Sequence, residues 1–200
     1  MPIISSKASM SAQAYGLFGV TAAPFTLVGA YDALATITVP SGGASSITFS
    51  AIPQTGYSHL QVRVSARTSD SSNGNYLWIR MNGDSGNTYS WHTLEGYGSG
   101  TPSAGASSTT NYGWVGYIPG TNVNSNVFGA EIIDILDYAN VNKFKTTRAL
   151  GGDDGNGLGG ILFGSSSWQS QSAINSITFS PSTGGANLVA GSTFSLYGIK

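Results

Sequence analysis

Charge is what this chain has least of. Only 8% of its 200 residues are Asp, Glu, Lys or Arg, against roughly a quarter in ordinary soluble domains. Eight basic residues against nine acidic ones give a formal net charge of -1. No basic stripe is left to hold phosphates, so nucleic-acid binding is not expected. Cysteine is absent, which removes disulfides and thiolate metal sites and argues against a small scaffold stapled in an oxidising compartment. His59 and His92 are the only histidines. Neither stands beside a metal-ligand or nucleophile pattern, so zinc and Ser-His-Asp chemistry lack parts, and both read as outward-facing strand residues.

Glycine, Ser, Thr, Asn and Tyr fill the chain instead, with hydrophobic residues at 40%. Hydroxyls and amides hydrate a surface without repelling one another, so surfaces of this kind pack closely in assemblies. The length suits one all-β domain, which would bury about 70% of its unfolded surface without staples.

Residues 1–33 read as an N-terminal arm that docks on a neighbouring subunit, with Tyr15, Phe18 and Phe25 as its anchors. The apolar run 14–30 raises the question of a signal peptide or membrane span, but Gly16, Gly19, Thr21, Pro24 and Thr26 break it, and no membrane insertion is expected. Residues 34–200 form the domain. About nine short β-branched or aromatic runs recur there between Gly, Pro, Asn and Ser clusters, the pattern of a sandwich or barrel.

The clearest run is 57–67, where Leu60, Val62, Val64 and Ala66 alternate with Gln61, Arg63, Ser65 and Arg67. The first set is expected in the core and the second toward water. Runs 75–81 and 87–95 flank Asn82-Gly83, which predicts a hairpin with Tyr76, Trp78, Tyr89 and Trp91 pairing across it. The Gly/Ser-rich stretch 96–110 predicts a long flexible loop. Strand resumes over 111–118. Residues 127–138 fit a strand better than a helix, followed by a turn at Asn140-Val141-Asn142 and a return strand over 143–150. Later runs are 158–163, 173–179 and 193–199.

No catalytic constellation emerges, and an enzyme is not expected. Glu95 and Glu131 are the only glutamates; on a strand, Glu131 and Asp137 share a face that Asp134 does not. These acids are expected to pair with Lys143, Lys145 or Arg148 across the return hairpin. Ser99 lacks the flanking pattern of a nucleophile elbow. Asp153-Asp154-Gly155-Asn156-Gly157 carries oxygen ligands suited to calcium, but a tight turn accounts for it without an ion, so no metal or cofactor is assigned. Tyr97, Tyr112, Trp114, Tyr117 and Trp168 stand near predicted loops, where flat rings stack on sugars or pack in cores and interfaces.

Several stretches taken together resemble a known group. They are Ile47-Thr48-Phe49-Ser50-Ala51-Ile52-Pro53, Tyr57-Ser58-His59-Leu60-Gln61-Val62-Arg63, Asn82-Gly83-Asp84 and Tyr89-Ser90-Trp91-His92. To these are added Ile132-Ile133-Asp134-Ile135-Leu136-Asp137-Tyr138 and the terminal Phe194-Ser195-Leu196-Tyr197-Gly198-Ile199-Lys200. Over residues 34–200 the chain resembles structural proteins of tailed-bacteriophage virions. The resemblance implies an all-β fold, a single antiparallel jelly-roll-like β-sandwich, displayed on a particle made in the host cytoplasm. It implies a head decoration (cement) protein that bridges major capsid subunits as a homo-oligomer, here expected to be a trimer. The alternative is a tail fibre or baseplate module, in which Tyr97, Tyr112, Trp114, Tyr117 and Trp168 contact host glycans. It carries over no catalytic residues.

Overall fold

The computed structural model describes residues 29–98 and 100–200. The expected arm over 1–33 and its anchors Tyr15, Phe18 and Phe25 fall outside the described residues, apart from 29–33. Strands are numbered β1 to β12 along the chain, and every pairing between them is antiparallel. The larger sheet runs in the order β1 (Tyr31–Thr38), β12 (Thr193–Ile199), β3 (His59–Ala66), β8 (Gly129–Leu136), β9 (Lys145–Asp153), β10 (Gly160–Trp168), β5 (Tyr89–Tyr97) and β6 (Ser103–Thr110). The smaller runs β2 (Ile47–Phe49), β11 (Ile177–Pro181), β4 (Gly74–Met81) and β7 (Gly113–Pro119). β1 opens at Tyr31, so residues 31–33, expected in the arm, are strand residues paired with β12.

The pairing is nested: β1 with β12, β2 with β11, β3 with β8, and β4 with β7. These eight strands make two four-stranded sheets, the arrangement of a jelly roll. Two antiparallel pairs are inserted into it. β5 and β6 lie between β4 and β7 in the chain, β9 and β10 lie between β8 and β11, and together they extend the larger sheet by four strands.

Side-chain alternation builds the core. Leu60, Val62, Val64 and Ala66 are buried as their spacing predicts, in one cluster with Phe194 of the neighbouring β12 and with Leu77, Ile79 and Phe179 of the smaller sheet. Their alternates do not all reach water. Arg63 is exposed, but Gln61 and Arg67 are buried. Arg67 donates to the carbonyls of Val123, Asn124 and Val127, so the guanidinium ties down the loop before β8.

The run 127–138 holds a strand and no helix, as its β-branched content predicts: β8 occupies Gly129–Leu136, and β9 returns beside it. Two expectations are overturned. The Asn82-Gly83 turn forms with both φ positive, 54° and 67°, but β4 enters the smaller sheet and β5 the larger, so the turn is a crossover and not a hairpin. Tyr76, Trp78, Tyr89 and Trp91 therefore do not pair across it. The stretch 96–110 is no loop throughout; its second half is the edge strand β6, held by the ladder to β5.

The inserted strands also close an edge. β7 packs against β5, β8, β9 and β10. Tyr76 and Trp114, on the face of β4 and β7 opposite Leu77 and Ile79, meet Trp91 and Glu95 of β5. The larger sheet thus curls past β7 and reaches both faces of the smaller one.

Candidate functional site

Three features lie on or beside the inserted strands: a buried group of acids and tyrosines, a glycine-walled cleft, and an exposed apolar row.

The buried group begins with Glu131, which is 2% exposed. Its Oε1 accepts the Tyr117 amide at 2.8 Å, while Oε2 has no partner among the described residues. Ser166 Oγ donates to the Trp114 carbonyl at 2.8 Å. Both side chains thereby satisfy backbone groups on the free edge of β7, where a further strand would otherwise pair. Gly151 and Gly116 make the room: a Cβ on Gly116 would stand 2.7 Å from Glu131 Cδ, and one on Gly151 would overlap the carboxyl. Burial pushes the Glu131 carboxyl up to about 8, so it carries its proton at neutral pH. Asp153 on the same face has two buried carboxyl oxygens with no side-chain partner among the described residues and is pushed up to about 6, again chiefly by burial.

Glu95, also buried, accepts from Tyr97 at 2.6 Å and from Tyr76 at 2.9 Å through Oε2. Burial first and the Glu95 bond second raise the Tyr97 phenol well above its ordinary value. Glu131 and Glu95 lie in one cross-strand row with Gly151 and Leu162 between them. The group fills space between the sheets.

Aromatic rings fill the adjoining space in ladders. Trp114 is stacked on one side by Tyr76 and on the other by Trp91, each at 3.8 Å between centroids. Trp78 stacks on Tyr112 at 3.7 Å. Of the residues considered for sugar contact, Tyr117 and Trp168 are 8% and 3% exposed, and Trp114 has both ring faces occupied. Trp168 instead donates its indole N–H to Asp84 at 2.7 Å. Tyr97 and Tyr112 are half-buried, each against another ring. The five are not gathered into a stacking platform.

The other polar candidates divide. Asp134 pairs with Arg148 at 2.9 Å and Asp137 with Lys143 at 2.7 Å, as the return hairpin predicts. Glu131 and Lys145 do not join them. Lys145 is fully buried and donates to the carbonyls of Asn140, Lys143 and Gln171, which replace a counter-ion. His92 faces outward on β5, whereas His59 is half-buried and accepts the Asp137 amide at 2.9 Å. The Asp154 carboxylate accepts the Asn156 amide at 3.0 Å, forming the Asx-type turn expected there. Among the described residues no group of three or more His, Asp and Glu side chains is placed to hold a metal ion, and no helix is long and apolar enough to cross a membrane.

Beside that turn lies a cleft of about 560 Å³ walled by Gly96, Gly98, Gly157, Gly159 and Gly160, with Asp153, Asp154 and Ile161 completing it. Its lining is mostly backbone.

The third feature was hidden in the alternation of four separate strands. Ile132 pairs with Leu150, Leu150 with Phe163, and Phe163 with Leu94, so four large apolar side chains form a straight row across the outer face of the larger sheet. They are 49%, 52%, 48% and 55% exposed, and Ile161 beside them is 60% exposed. Outward positions on a solvated sheet face are ordinarily polar, and a contiguous apolar patch on a monomer marks a contact surface. All five residues fall in strands expected from the sequence, but no pattern within a single strand brings them together. The signal was present in the outward parity of Ile132 and in Leu150 on its return strand. No known protein family, curated protein or solved structure matches the chain.

Proposed function

We propose that this chain is a structural component of a tailed-bacteriophage particle, a head decoration protein that bridges major capsid subunits and acts by burying surface. The observation that carries the reading is the exposed row Ile132, Leu150, Phe163 and Leu94 on a rigid sheet. The sequence resemblance to virion proteins supplies the setting. Low charge supports it too, because a surface with few ions is desolvated at little cost when it packs. Bridging at a repeated lattice multiplies modest contacts through effective concentration.

The test uses particles assembled without the protein and then incubated with it. Wild-type chain co-sediments with heads, and Leu150→Asp/Phe163→Asp loses binding about tenfold or more, since each change places a charge in the contact. Equal binding by the double variant would contradict the reading, as would wild type that stays in the supernatant. The variant sites are exposed, so folding is retained and checked by circular dichroism.

A further inference from the structure

Among the described residues four strands form the edges of the two sheets, and three of them are protected. β1 is interrupted by a bulge between Ala33 and Ala35 and carries Asp32, which is paired with Lys200 at 2.7 Å. β2 is only three residues long. β7 has Glu131 and Ser166 on its open backbone groups. Bulges, charges, shortness and cover are the devices by which folded proteins keep sheet edges from pairing with other chains.

β6 has almost none of them. It is eight residues long, Ser-Ala-Gly-Ala-Ser-Ser-Thr-Thr, with no charge and no proline. Its only irregularity is near its end, where Thr109 has a φ of 58° and the register to β5 shifts. In an antiparallel ladder, alternate residues turn their N–H and C=O groups away from the neighbour. On β6 those groups meet no strand among the described residues; Thr109 Oγ1 donates to the Ser108 carbonyl, and Thr110 Oγ1 turns instead to the carbonyls of Tyr89 and Tyr112.

We propose that β6 is a strand-addition site whose occupant is β6 of a second copy of this chain, paired antiparallel across a two-fold axis. The sequence favours a copy of itself as the occupant. An uncharged strand of small side chains sets no like charges opposite one another when it meets itself, and its own identity supplies a partner of matching length. Continuity with the apolar row points the same way. Leu94 pairs with Ala104, so the row ends at this edge. A two-fold axis perpendicular to the sheet keeps both outer faces on one side, and pairing would join two rows into one belt. The inference does not depend on the particle reading; it concerns how two copies meet, wherever they are displayed.

Ala104 and Ala106 are exposed on β6 and serve as test positions. Sedimentation velocity on the full chain is expected to show a dimer at concentrations up to about 100 μM. Ala104→Lys/Ala106→Lys and Ala104→Asp/Ala106→Asp are each expected to weaken it about tenfold or more, by placing like charges across the junction. Mixing the two variants is expected to restore association as a heterodimer, because the charges then oppose. A monomeric wild type, variants that dimerise undiminished, or variants that do not complement each other would overturn the proposal. Should either variant not fold, hydrogen exchange on wild type decides. Protection of 103–110 that rises with protein concentration supports the pairing, and protection independent of concentration contradicts it.

Discussion

Glu131 shows how far a residue's setting can move it from its usual chemistry. A carboxyl buried between two sheets, with one oxygen bonded to the Tyr117 amide and the other unpartnered among the described residues, is favoured in its neutral form. Its folded value of about 8 exceeds the ordinary 4.5. A raised carboxyl value makes the folded state bind the proton that the unfolded chain releases, so this contribution is complete below about pH 4.5 and is lost as pH rises through about 8. Asp153 adds a change of the same sign between its ordinary 3.8 and about 6. Asp134 and Asp137, lowered by partners that include Arg148 and Lys143 respectively, work oppositely and only at more acid pH. Stability measured by denaturant should therefore fall by roughly 4 kcal/mol from pH 5 to pH 9, and Glu131→Gln should remove most of that fall. An unchanged pH profile in the variant would refute this account of the site. The sequence puts Glu131 on a strand face shared with Asp137 and leads to the expectation of an ion pair with Lys143, Lys145 or Arg148; the partner found, the Tyr117 amide, comes from another sheet, and no spacing in the chain encodes that meeting.

At the scale of elements, the crossover between β4 and β5 holds the two sheets to each other. Asp84 accepts from the Gly86 amide, the Thr88 hydroxyl and the Trp168 indole, all at 2.7–2.8 Å. Asn82 receives the amides of Asn175 and Ser176 ahead of β11. Asp84→Ala should lower unfolding free energy by about 2 kcal/mol, since the buried indole loses its acceptor; a loss under about 0.5 kcal/mol in urea denaturation would contradict the role. This element also shows where local reading stops. Asn82-Gly83 correctly specified a turn with positive φ, but a turn does not state which sheet receives the next strand. Leu77, Ile79 and Met81 commit β4 to the smaller sheet, and β5 finds its partners in β10 and β6. β6 was hidden for another reason: its residues have little intrinsic strand preference, and it is the ladder to β5 that makes it a strand. By contrast the strand expected over 193–199 matches β12 at both ends, since its alternation of Phe194, Leu196 and Gly198 with half-buried neighbours is intrinsic to the segment.

For the whole molecule, the jelly roll and the added strands divide the work. The eight nested strands bury the main core, and the four inserted ones carry most of the apolar row, the cleft and the unprotected edge. The all-β class and the sandwich were legible because alternation is local. The outer row was not, since it exists only once β8, β9, β10 and β5 are in register. The central claim is that these surfaces serve assembly on a phage head. Gold-labelled antibody against the 34–200 domain, applied to intact particles, tests it most directly. Label spread over the head is the predicted result; label confined to the tail would favour the fibre or baseplate alternative, and particles without label would contradict the virion reading altogether.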